Sequence, residues 1–142
     1  MANELKLEIV TPSRKMLEVS ADAVTLPGSM GQLGILPEHM PLVTTLDTGI
    51  LVYQTGGKQH AIAVHWGYAQ VDANRVSVLA ELAETAEDIN LDRARNAESR
   101  AREMLGKIGG AKSGSEEETQ RLVKYEAKLQ RALVRQQVAQ IR

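Results

Sequence analysis

Residues 28–41 read GSMGQLGILPEHMP, in which three glycines and two prolines surround a short apolar run, Leu33, Ile35 and Leu36. One histidine, His39, lies near the end of this stretch. The segment cannot be a regular helix, because glycine is conformationally costly in a helix and proline lacks the amide donor. Its residue types leave three interpretations open: a phosphate cradle, a catalytic loop, or a shaped surface that another protein binds. The patterns on either side decide among them.

In the first part of the chain, residues 1–84, apolar and polar side chains alternate with a period of two residues. The segment LKLEIV (5–10) alternates apolar with charged side chains, and HAIAVHWGYAQV (60–71) and RVSVLAEL (75–82) follow the same period less strictly. Alternation predicts half-buried strands, and short strands separated by Pro, Gly, Asp and Asn are typical of an antiparallel sandwich or barrel. We therefore expect residues 1–84 to be all-β. The alternation groups Leu5, Leu7 and Ile9; Ile62, Val64 and Trp66, opposite Ala61, Ala63 and His65; and Val76, Val78 and, less cleanly, Leu79.

In the second part, residues 85–142, apolar residues recur every three or four positions, which predicts helices. A glycine- and serine-rich linker near residues 106–115 separates two apolar stripes, so we predict an antiparallel helical hairpin. Its alanine-rich seam buries little apolar area, and the hairpin should therefore depend on docking to the sandwich or to another partner. The capping signals are Thr85 with Asp88, Asn90 before Leu91, and Ser115 with Glu118. The stripes are Leu91, Ala94, Ala97, Ala101, Met104 or Leu105 and Ile108, then Leu122, Tyr125, Leu129 and Ala132 or Leu133.

The composition excludes several classes of protein. With 43% hydrophobic and 25% charged residues the chain is a folded soluble protein, and without cysteine it has no disulfide, thiol nucleophile or thiolate metal site. The absence of cysteine is compatible with a reducing cytoplasm. No run approaches the roughly 18 apolar residues of a membrane span, and the first ten residues lack the plan of a signal peptide.

Signals for catalysis are weak. The segment GGAKSGS (109–115) superficially resembles a phosphate loop, but it lacks the Gly-Lys-Ser/Thr ending and the preceding strand, and it joins two helices. The three histidines, His39, His60 and His65, form no metal-binding or acid–base pattern. We therefore expect no catalytic residue, no metal site and no required cofactor.

A basic stripe runs along the second predicted helix; it consists of Arg121, Lys124, Lys128, Arg131 and Arg135. Steps of three and four residues place these side chains on one helical face. Residues 1–84 carry five basic and nine acidic residues, whereas residues 85–142 carry twelve and nine, so the two parts differ in net charge. The stripe is either a solvated face or a surface for an acidic protein or phosphate oxygens. Nucleic acid fits less well, because the net charge is −1 and no aromatic residues interleave.

Together these features resemble the ε subunit of bacterial F-type ATP synthases (δ in mitochondria). The opening stretch matches that family's GxxGxxGIxPxHxP pattern through Gly28, Gly31, Gly34, Ile35, Pro37, His39 and Pro41. Residues 66–81, WGYAQVDANRVSVLAE, resemble the strand–turn–strand that precedes the family's helical hairpin. Both matches lie at the right separation, and the resemblance covers essentially the whole chain.

The resemblance implies a flattened antiparallel β-sandwich over residues 1–84 and an antiparallel two-helix hairpin over residues 85–142. In that family the sandwich binds the γ subunit and sits on the membrane-embedded c-ring. The opening stretch is then a rigid surface for protein contact and not a phosphate cradle, since no helix N-terminus follows it. The chain would be a non-catalytic central-stalk subunit, peripheral on the cytoplasmic face of the bacterial inner membrane. The implied c-ring contacts are Ser29, Met30, Gly31, Gln32, Leu33 and His39.

The resemblance also implies a mobile hairpin that either folds beside the sandwich or extends into the catalytic head and inhibits ATP hydrolysis. The basic stripe would then meet an acidic segment at the C-terminal end of the β subunit. Some family members instead use the folded hairpin to bind ATP, through an I/L-D-x-x-R-A motif and two later arginines. Asn90 stands where the family has aspartate and loses charge-assisted hydrogen bonding, so we expect weak rather than tight ATP binding, with ATP sensing as the alternative function. The candidate ATP-binding residues are Ile89, Asn90, Arg93, Ala94, Arg131 and Arg135.

Overall fold

A computed structural model describes residues 4–109 and 114–141 of the chain. Eight strands precede two long helices, as the fold-class prediction required. The strands are β1 (Leu5–Val10), β2 (Lys15–Ala21), β3 (Ala23–Gly28), β4 (Gly31–Ile35), β5 (Leu42–Leu46), β6 (Gly49–Thr55), β7 (Lys58–Asp72) and β8 (Arg75–Glu84). A short 3-10 turn (Ala86–Asp88) leads to the helices α1 (Leu91–Gly109) and α2 (Glu116–Gln140).

The strands form one sheet in the order β2-β1-β8-β7-β5-β3-β4, and β6 pairs with both β3 and β7. Strand β7 is 15 residues long, so it pairs with β6 along its first half and with β5 along its second. The sheet thereby curls over one core in a sandwich-like arrangement. Of the strand pairs that the structure describes, only β1 with β8 is parallel. Parallel neighbours cannot share a tight hairpin, and here all the strands from β2 to β7 form the connection.

The core of the sandwich confirms the alternation read from the first strand. Leu5, Leu7 and Ile9 are all buried, and the charged residues between them face outward. Burial of side chains of this size stabilises the fold by about 1.5–3 kcal/mol each. Leu, Val, Ile and Ala from the remaining strands complete the core together with one aromatic residue, Tyr53.

The alternation along β7 changes at Trp66, and the prediction that Trp66 shares the face of Ile62 and Val64 is wrong. Ile62 and Val64 are buried, whereas Trp66 is 54% exposed. Trp66 and Gly67 have φ of 57° and 155°, outside the range of a regular strand, so the phase shifts and Ala69 and Val71 become the buried side chains beyond them.

On β8, which pairs with this part of β7, the predicted position of Leu79 is also wrong. Val76 and Val78 are buried as predicted, but the next buried residue is Ala80, and Leu79 faces solvent. Tyr68 on β7 pairs with Leu79, and both side chains are exposed, so the outer face of these strands is apolar.

All three predicted capping signals are confirmed at the helix starts. The Oδ1 of Asn90 accepts from the Arg93 amide at 3.0 Å, and the Ser115 hydroxyl accepts from the Glu118 amide at 3.2 Å. The Thr85 amide donates to Asp88 Oδ2 at 3.1 Å. Such caps satisfy amides that the first helical turn leaves without partners.

The hairpin folds against the sandwich through α2. Val134 and Val138 are buried and pack with Ala63 of β7 and Ala86 of the 3-10 turn, with Ile50 at the edge of this contact. Ala94 and Ala101 of α1 are buried in the small-residue seam with α2. The sequence stripe on α2 ended at Ala132 or Leu133 and therefore missed the two valines that make the docking contact.

Helix α1 continues to Gly109, so the segment predicted as a linker near residues 106–115 begins in helix. Residues 110–113 of that predicted linker lie outside the described residues. In the part of the chain that the structure covers, no helix is long and apolar enough to cross a membrane.

Candidate functional site

The turn between β3 and β4, here called the Met30 turn (Ser29–Gly31), presents a fully exposed methionine. Its shape is fixed by hydrogen bonds to the neighbouring β5 end: the Ser29 amide donates to Thr45 O at 3.0 Å, and Thr45 Oγ1 donates to Ser29 Oγ at 2.8 Å. Ser29 Oγ in turn donates to Asp47 Oδ1 at 3.1 Å. A side chain at Gly28 would lie 2.7 Å from the Gly31 carbonyl oxygen, so glycine is required for this turn. The result is a rigid apolar tip suited to protein contact.

The structure does not bring all the implied c-ring residues together. Gln32 is exposed beside the Met30 turn, and Leu33 packs partly on the core. His39 belongs to the loop at the opposite end of β4, where the neighbouring Glu38 amide donates to Asn74 Oδ1 at 2.6 Å. Strand β5 runs between these two ends and spans about 13 Å at ~3.3 Å per residue. The predicted grouping of His39 with the turn is therefore not reproduced in space.

A second surface feature is an apolar patch formed by Val43, Trp66, Tyr68 and Leu79. All four side chains are exposed, and strand pairing places Tyr68 beside both Thr45 and Leu79 on the outer face. The patch borders a groove of about 700 Å³ that includes Pro12. Contiguous apolar surface on a soluble domain marks an interaction site. Sequence reasoning missed this patch by assigning Trp66 to the alternating face; the Trp66–Gly67 doublet was the available signal for a break.

The contact between the hairpin and the sandwich contains an ionic group, here called the Glu84 cluster (His65, Glu84 and Arg135). His65 Nε2 lies 2.9 Å and Arg135 Nε 2.7 Å from the same atom, Glu84 Oε1. Because a carboxylate only accepts, Nε2 of His65 carries the proton and donates it. His65 is 4% exposed, and its Nδ1 has no partner among the described residues.

Electrostatics favour the ionised form of Glu84. Burial alone would raise the pKa of the Glu84 carboxyl above its ordinary value of 4.5. The hydrogen bonds from His65 and Arg135, together with the charge of Arg135, outweigh burial and lower the pKa of Glu84. Docking of α2 therefore holds a carboxylate in a partly buried site where both of its neighbours donate.

The candidate ATP-binding residues surround two adjoining clefts. The first cleft, of about 420 Å³, is lined by Ile89, Asn90, Arg93 and Ala94 with Arg135 on its other wall. The second, of about 560 Å³, lies between α1 and α2 and contains Arg131. Arg100 and Arg135 line both clefts, so the clefts adjoin, and Glu84 and Asp88 also line the first cleft. Asn90 Oδ1 is already engaged as the cap of α1.

The basic stripe divides into two parts in the folded hairpin. Arg121 and Lys124 are exposed toward the far end of α2, and Lys128 is exposed beside the ring of Tyr125, with its Nζ 5.4 Å from the ring centroid. Arg131 and Arg135 are half-buried and line the clefts, and Arg135 is paired with Glu84. The three residues nearest the hairpin tip thus form a solvated face. Arg131 instead lines a cleft, and Arg135 is paired with Glu84.

The three histidines make different contacts and do not form a common site. His60 stacks on Tyr53 with ring centroids 4.9 Å apart, and His65 belongs to the Glu84 cluster. His39 Nδ1 lies 2.7 Å from the Met40 carbonyl oxygen. Within residues 4–109 and 114–141, no three histidine or acidic side chains are grouped so as to hold a metal ion.

The structure defines a two-part class of protein, in which a β-sandwich with an exposed apolar turn and an apolar patch is followed by a docked helical hairpin. Two family models match these two parts: the description "ATP synthase, Delta/Epsilon chain, beta-sandwich domain" matches residues 4–86, and "ATP synthase, Delta/Epsilon chain, long alpha-helix domain" matches residues 87–140. The chain belongs to the delta/epsilon chain family of ATP synthases.

Similar proteins are named more specifically, as ATP synthase epsilon chains. The ATP synthase epsilon chain of Geotalea uraniireducens is 42% identical over 139 residues, which cover 98% of this chain and 96% of that one. ATP synthase epsilon chain 2 of Syntrophotalea carbinolica is 45% identical over the same length, with the same coverage. The resemblance to ε subunits is therefore confirmed.

A solved structure shares the fold. A chain in the mitochondrial ATP synthase of Euglena gracilis, from a structure of OSCP, F1 and the c-ring, matches with a TM-score of 0.75 and 23% identity. The match covers 90% of this chain and 76% of that chain. At this identity the likeness concerns the fold alone.

Proposed function

We propose that the chain is a non-catalytic rotor subunit of an F-type ATP synthase on the cytoplasmic face of the bacterial inner membrane. It links the γ subunit to the c-ring, and its hairpin inhibits ATP hydrolysis when it leaves the sandwich. The observation that carries the proposal is the hairpin's docking contact. Two valines and one ionic cluster hold α2 against the sandwich, so the docked and undocked states differ by a free energy that a partner can overcome.

The two surfaces of the sandwich suit two different partners. The apolar patch is broad and carries Trp66 and Tyr68, the residue types that anchor stable interfaces, and we assign it to γ. The Met30 turn is narrow and rigid, which suits a contact that must be made repeatedly with small polar loops, and we assign it to the c-ring. His39 lies at the other end of β4 and is not part of that assignment.

The hairpin supplies the regulatory part. Arg121, Lys124 and Lys128 are exposed in the docked state and available to an acidic surface. When α2 undocks, Arg135 is released from Glu84 and joins them. Complementary charge with an acidic C-terminal segment of the β subunit would favour the extended state, because Arg135 is available only there.

ATP sensing is the second candidate function, and the arginines that line the two adjoining clefts favour it. Arg93, Arg100 and Arg135 surround a volume of the size that small-molecule ligands occupy. Asn90 offers a neutral oxygen that already caps α1, so ATP would bind weakly and stabilise the docked hairpin. Calorimetric titration of the isolated chain with ATP tests this candidate, and heat indistinguishable from dilution at millimolar ATP excludes it.

The main experiment compares two triple variants on a catalytic head from which the ε subunit has been removed. Arg121→Gln, Lys124→Gln and Lys128→Gln neutralise the exposed part of the stripe. Arg14→Gln, Lys58→Gln and Arg95→Gln remove the same charge from exposed positions elsewhere. We expect the full-length chain and the control triple to suppress ATP hydrolysis, and the stripe triple to suppress it less. If all three chains bind and none suppresses hydrolysis, the hairpin is not an inhibitor and the chain only couples γ to the c-ring.

A further inference from the structure

Three elements meet at a single oxygen atom in the docked hairpin. Glu84 Oε1 accepts from His65 Nε2 on β7 at 2.9 Å and from Arg135 Nε on α2 at 2.7 Å. Glu84 itself ends β8, the last strand before the hairpin. Among the described residues, the Arg135–Glu84 pair is the ion pair that joins α2 to the sandwich.

Arg135 is also the last member of the basic stripe, and in the docked state its Nε is already paired with Glu84. Its side chain is 27% exposed, whereas Arg121, Lys124 and Lys128 are open to solvent. Glu84 offers Arg135 the same functional group, a carboxylate, that an acidic protein surface would offer. An internal carboxylate of this kind competes with an external one for the same cation.

His65 contributes to this competition by fixing the carboxylate. Its ring is buried and donates to the oxygen that Arg135 uses, so it holds that oxygen in place and prevents Glu84 from swinging to solvent. His65 is a positioning residue for Glu84. Removing Arg135 leaves a partly buried carboxylate with His65 as its remaining side-chain donor, which is costly.

We propose that Glu84 competes with acidic surfaces outside the chain for Arg135, and that the Arg135–Glu84 pair restrains the hairpin from leaving the sandwich. This inference rests on the proposed function, because it requires the hairpin to move. It goes beyond the proposed function by naming the residue pair, Arg135 and Glu84, that sets how readily the hairpin undocks. Neutralising Glu84 then frees Arg135 and raises the share of undocked hairpin.

The test measures hairpin position directly in the full chain. Because the chain has no cysteine, Ser20→Cys on β2 and Gln130→Cys on α2 provide two unique labelling sites, both at exposed positions. Distances between spin labels at these sites are measured by pulsed electron paramagnetic resonance, at several urea concentrations below those that unfold the sandwich. The variants are Glu84→Gln, Arg135→Gln, the double variant, and Glu81→Gln as the control, since Glu81 is exposed on the same strand.

We expect Glu84→Gln and Arg135→Gln each to raise the ratio of undocked to docked chains about tenfold, equivalent to ~1.4 kcal/mol. The double variant should resemble either single variant, because both remove the same pairing, and Glu81→Gln should match the parent chain. The inference is overturned if Glu84→Gln leaves the distances of the parent chain unchanged, or if the two single effects simply add. Circular dichroism confirms that each variant keeps its strands and helices.

A parallel assay separates this inference from the proposed function. The same chains without labels are added to the catalytic head lacking its ε subunit, and ATP hydrolysis is measured. Stronger suppression by Glu84→Gln than by the parent supports both ideas. Normal suppression by the parent with no change in distance overturns only the competitor role. A shifted distance without suppression by any chain supports the pairing and overturns inhibition by the hairpin.

Discussion

Gln136 Nε2 donates to Glu98 Oε1 at 2.8 Å and so ties α2 to α1 across the hairpin seam. The other carboxylate oxygen of Glu98 accepts from Arg102 on its own helix at 2.8 Å. These hydrogen bonds lie entirely within the hairpin, unlike those of the Glu84 cluster. The two helices can therefore leave the sandwich as a pair.

Replacing Gln136 tests the seam. Gln136→Ala removes the interhelical donor, and we expect hydrogen exchange at the α1 amides that face α2 to become severalfold faster. Gln137→Ala is the matched control, because Gln137 is the next residue of α2 and is exposed. Equal exchange rates in the two variants would show that the Gln136–Glu98 hydrogen bond adds nothing to helix pairing.

Gly67 should be among the least replaceable residues of the sandwich. A β-carbon there would lie 2.0 Å from the Leu79 carbonyl oxygen, and its φ of 155° is unfavourable for other residues. We expect Gly67→Ala to lower the free energy of unfolding by about 3 kcal/mol or to prevent folding, from overpacking and backbone strain. The measurement is urea unfolding followed by circular dichroism.

The control for that experiment is Gly34→Ala. No atom lies within 4 Å of a β-carbon placed at Gly34, and we expect its free energy of unfolding to change by less than about 0.5 kcal/mol. Similar losses in both variants would contradict the explanation from close approach at Gly67.

Val138 should matter for docking rather than for the sandwich itself. Its side chain is fully buried against the sandwich, and Val138→Ala removes two methyl groups there, which costs about 2 kcal/mol. We expect faster hydrogen exchange throughout α1 and α2 with little change in the buried strands. Val123→Ala, on an exposed part of the same helix, is the control and should leave exchange unchanged.

The two surfaces of the sandwich should be separable by mutation. Leu79→Glu places a charge in the apolar patch, and we expect it to weaken association with γ at least tenfold while leaving contact with the c-ring intact. Met30→Glu should do the reverse, because Met30 lies on the turn at the other surface. Binding to γ is measured by titration calorimetry, and binding to the c-ring by retention of the chain on reconstituted complexes. Equal weakening of both contacts by either variant would refute the assignment of separate partners.

Acid should undock the hairpin through Glu84. The pKa of Glu84 is lower in the docked chain than its ordinary value of 4.5, so docking is favoured above that value and loses this contribution as the pH falls below it. We expect the docked share of the label distance to fall below pH 4.5 in the parent chain and to vary less in Glu84→Gln. Glu18→Gln is the comparison, because hydrogen bonds from Lys6 and Lys15 lower the pKa of Glu18 to about 2 on β2, outside the Glu84 cluster. A parent curve that coincides with that of Glu84→Gln would exclude Glu84 as the titrating group.

The sequence predicted the parts of this chain whose structure depends on local chemistry. The strand alternation at Leu5, Leu7 and Ile9 and the caps at Asn90 and Ser115 are confirmed because periodicity and capping act within a few residues.

Features that depend on the tertiary fold were missed or misplaced. Trp66 is exposed because two successive residues adopt positive φ, which alternation cannot reveal. Val134 and Val138 lie off the stripe that pairs the helices, and only the sandwich gives them a partner. The separation of His39 from the Met30 turn follows from the direction of β4, which the pattern of glycines and prolines does not specify.

The parallel pairing of β1 with β8 constrains how the chain folds as it leaves the ribosome. Strand β1 can pair with β2 almost at once, but its other edge stays open until residues 75–79 have been synthesised. At about 5–20 residues per second that edge waits for several seconds, and pairing across so long a loop is intrinsically slow. Leu7 and Ile9 remain partly uncovered during that interval, and an open strand edge with exposed apolar side chains is prone to aggregation. The hairpin emerges last and finds its docking face only once β7 and β8 have joined.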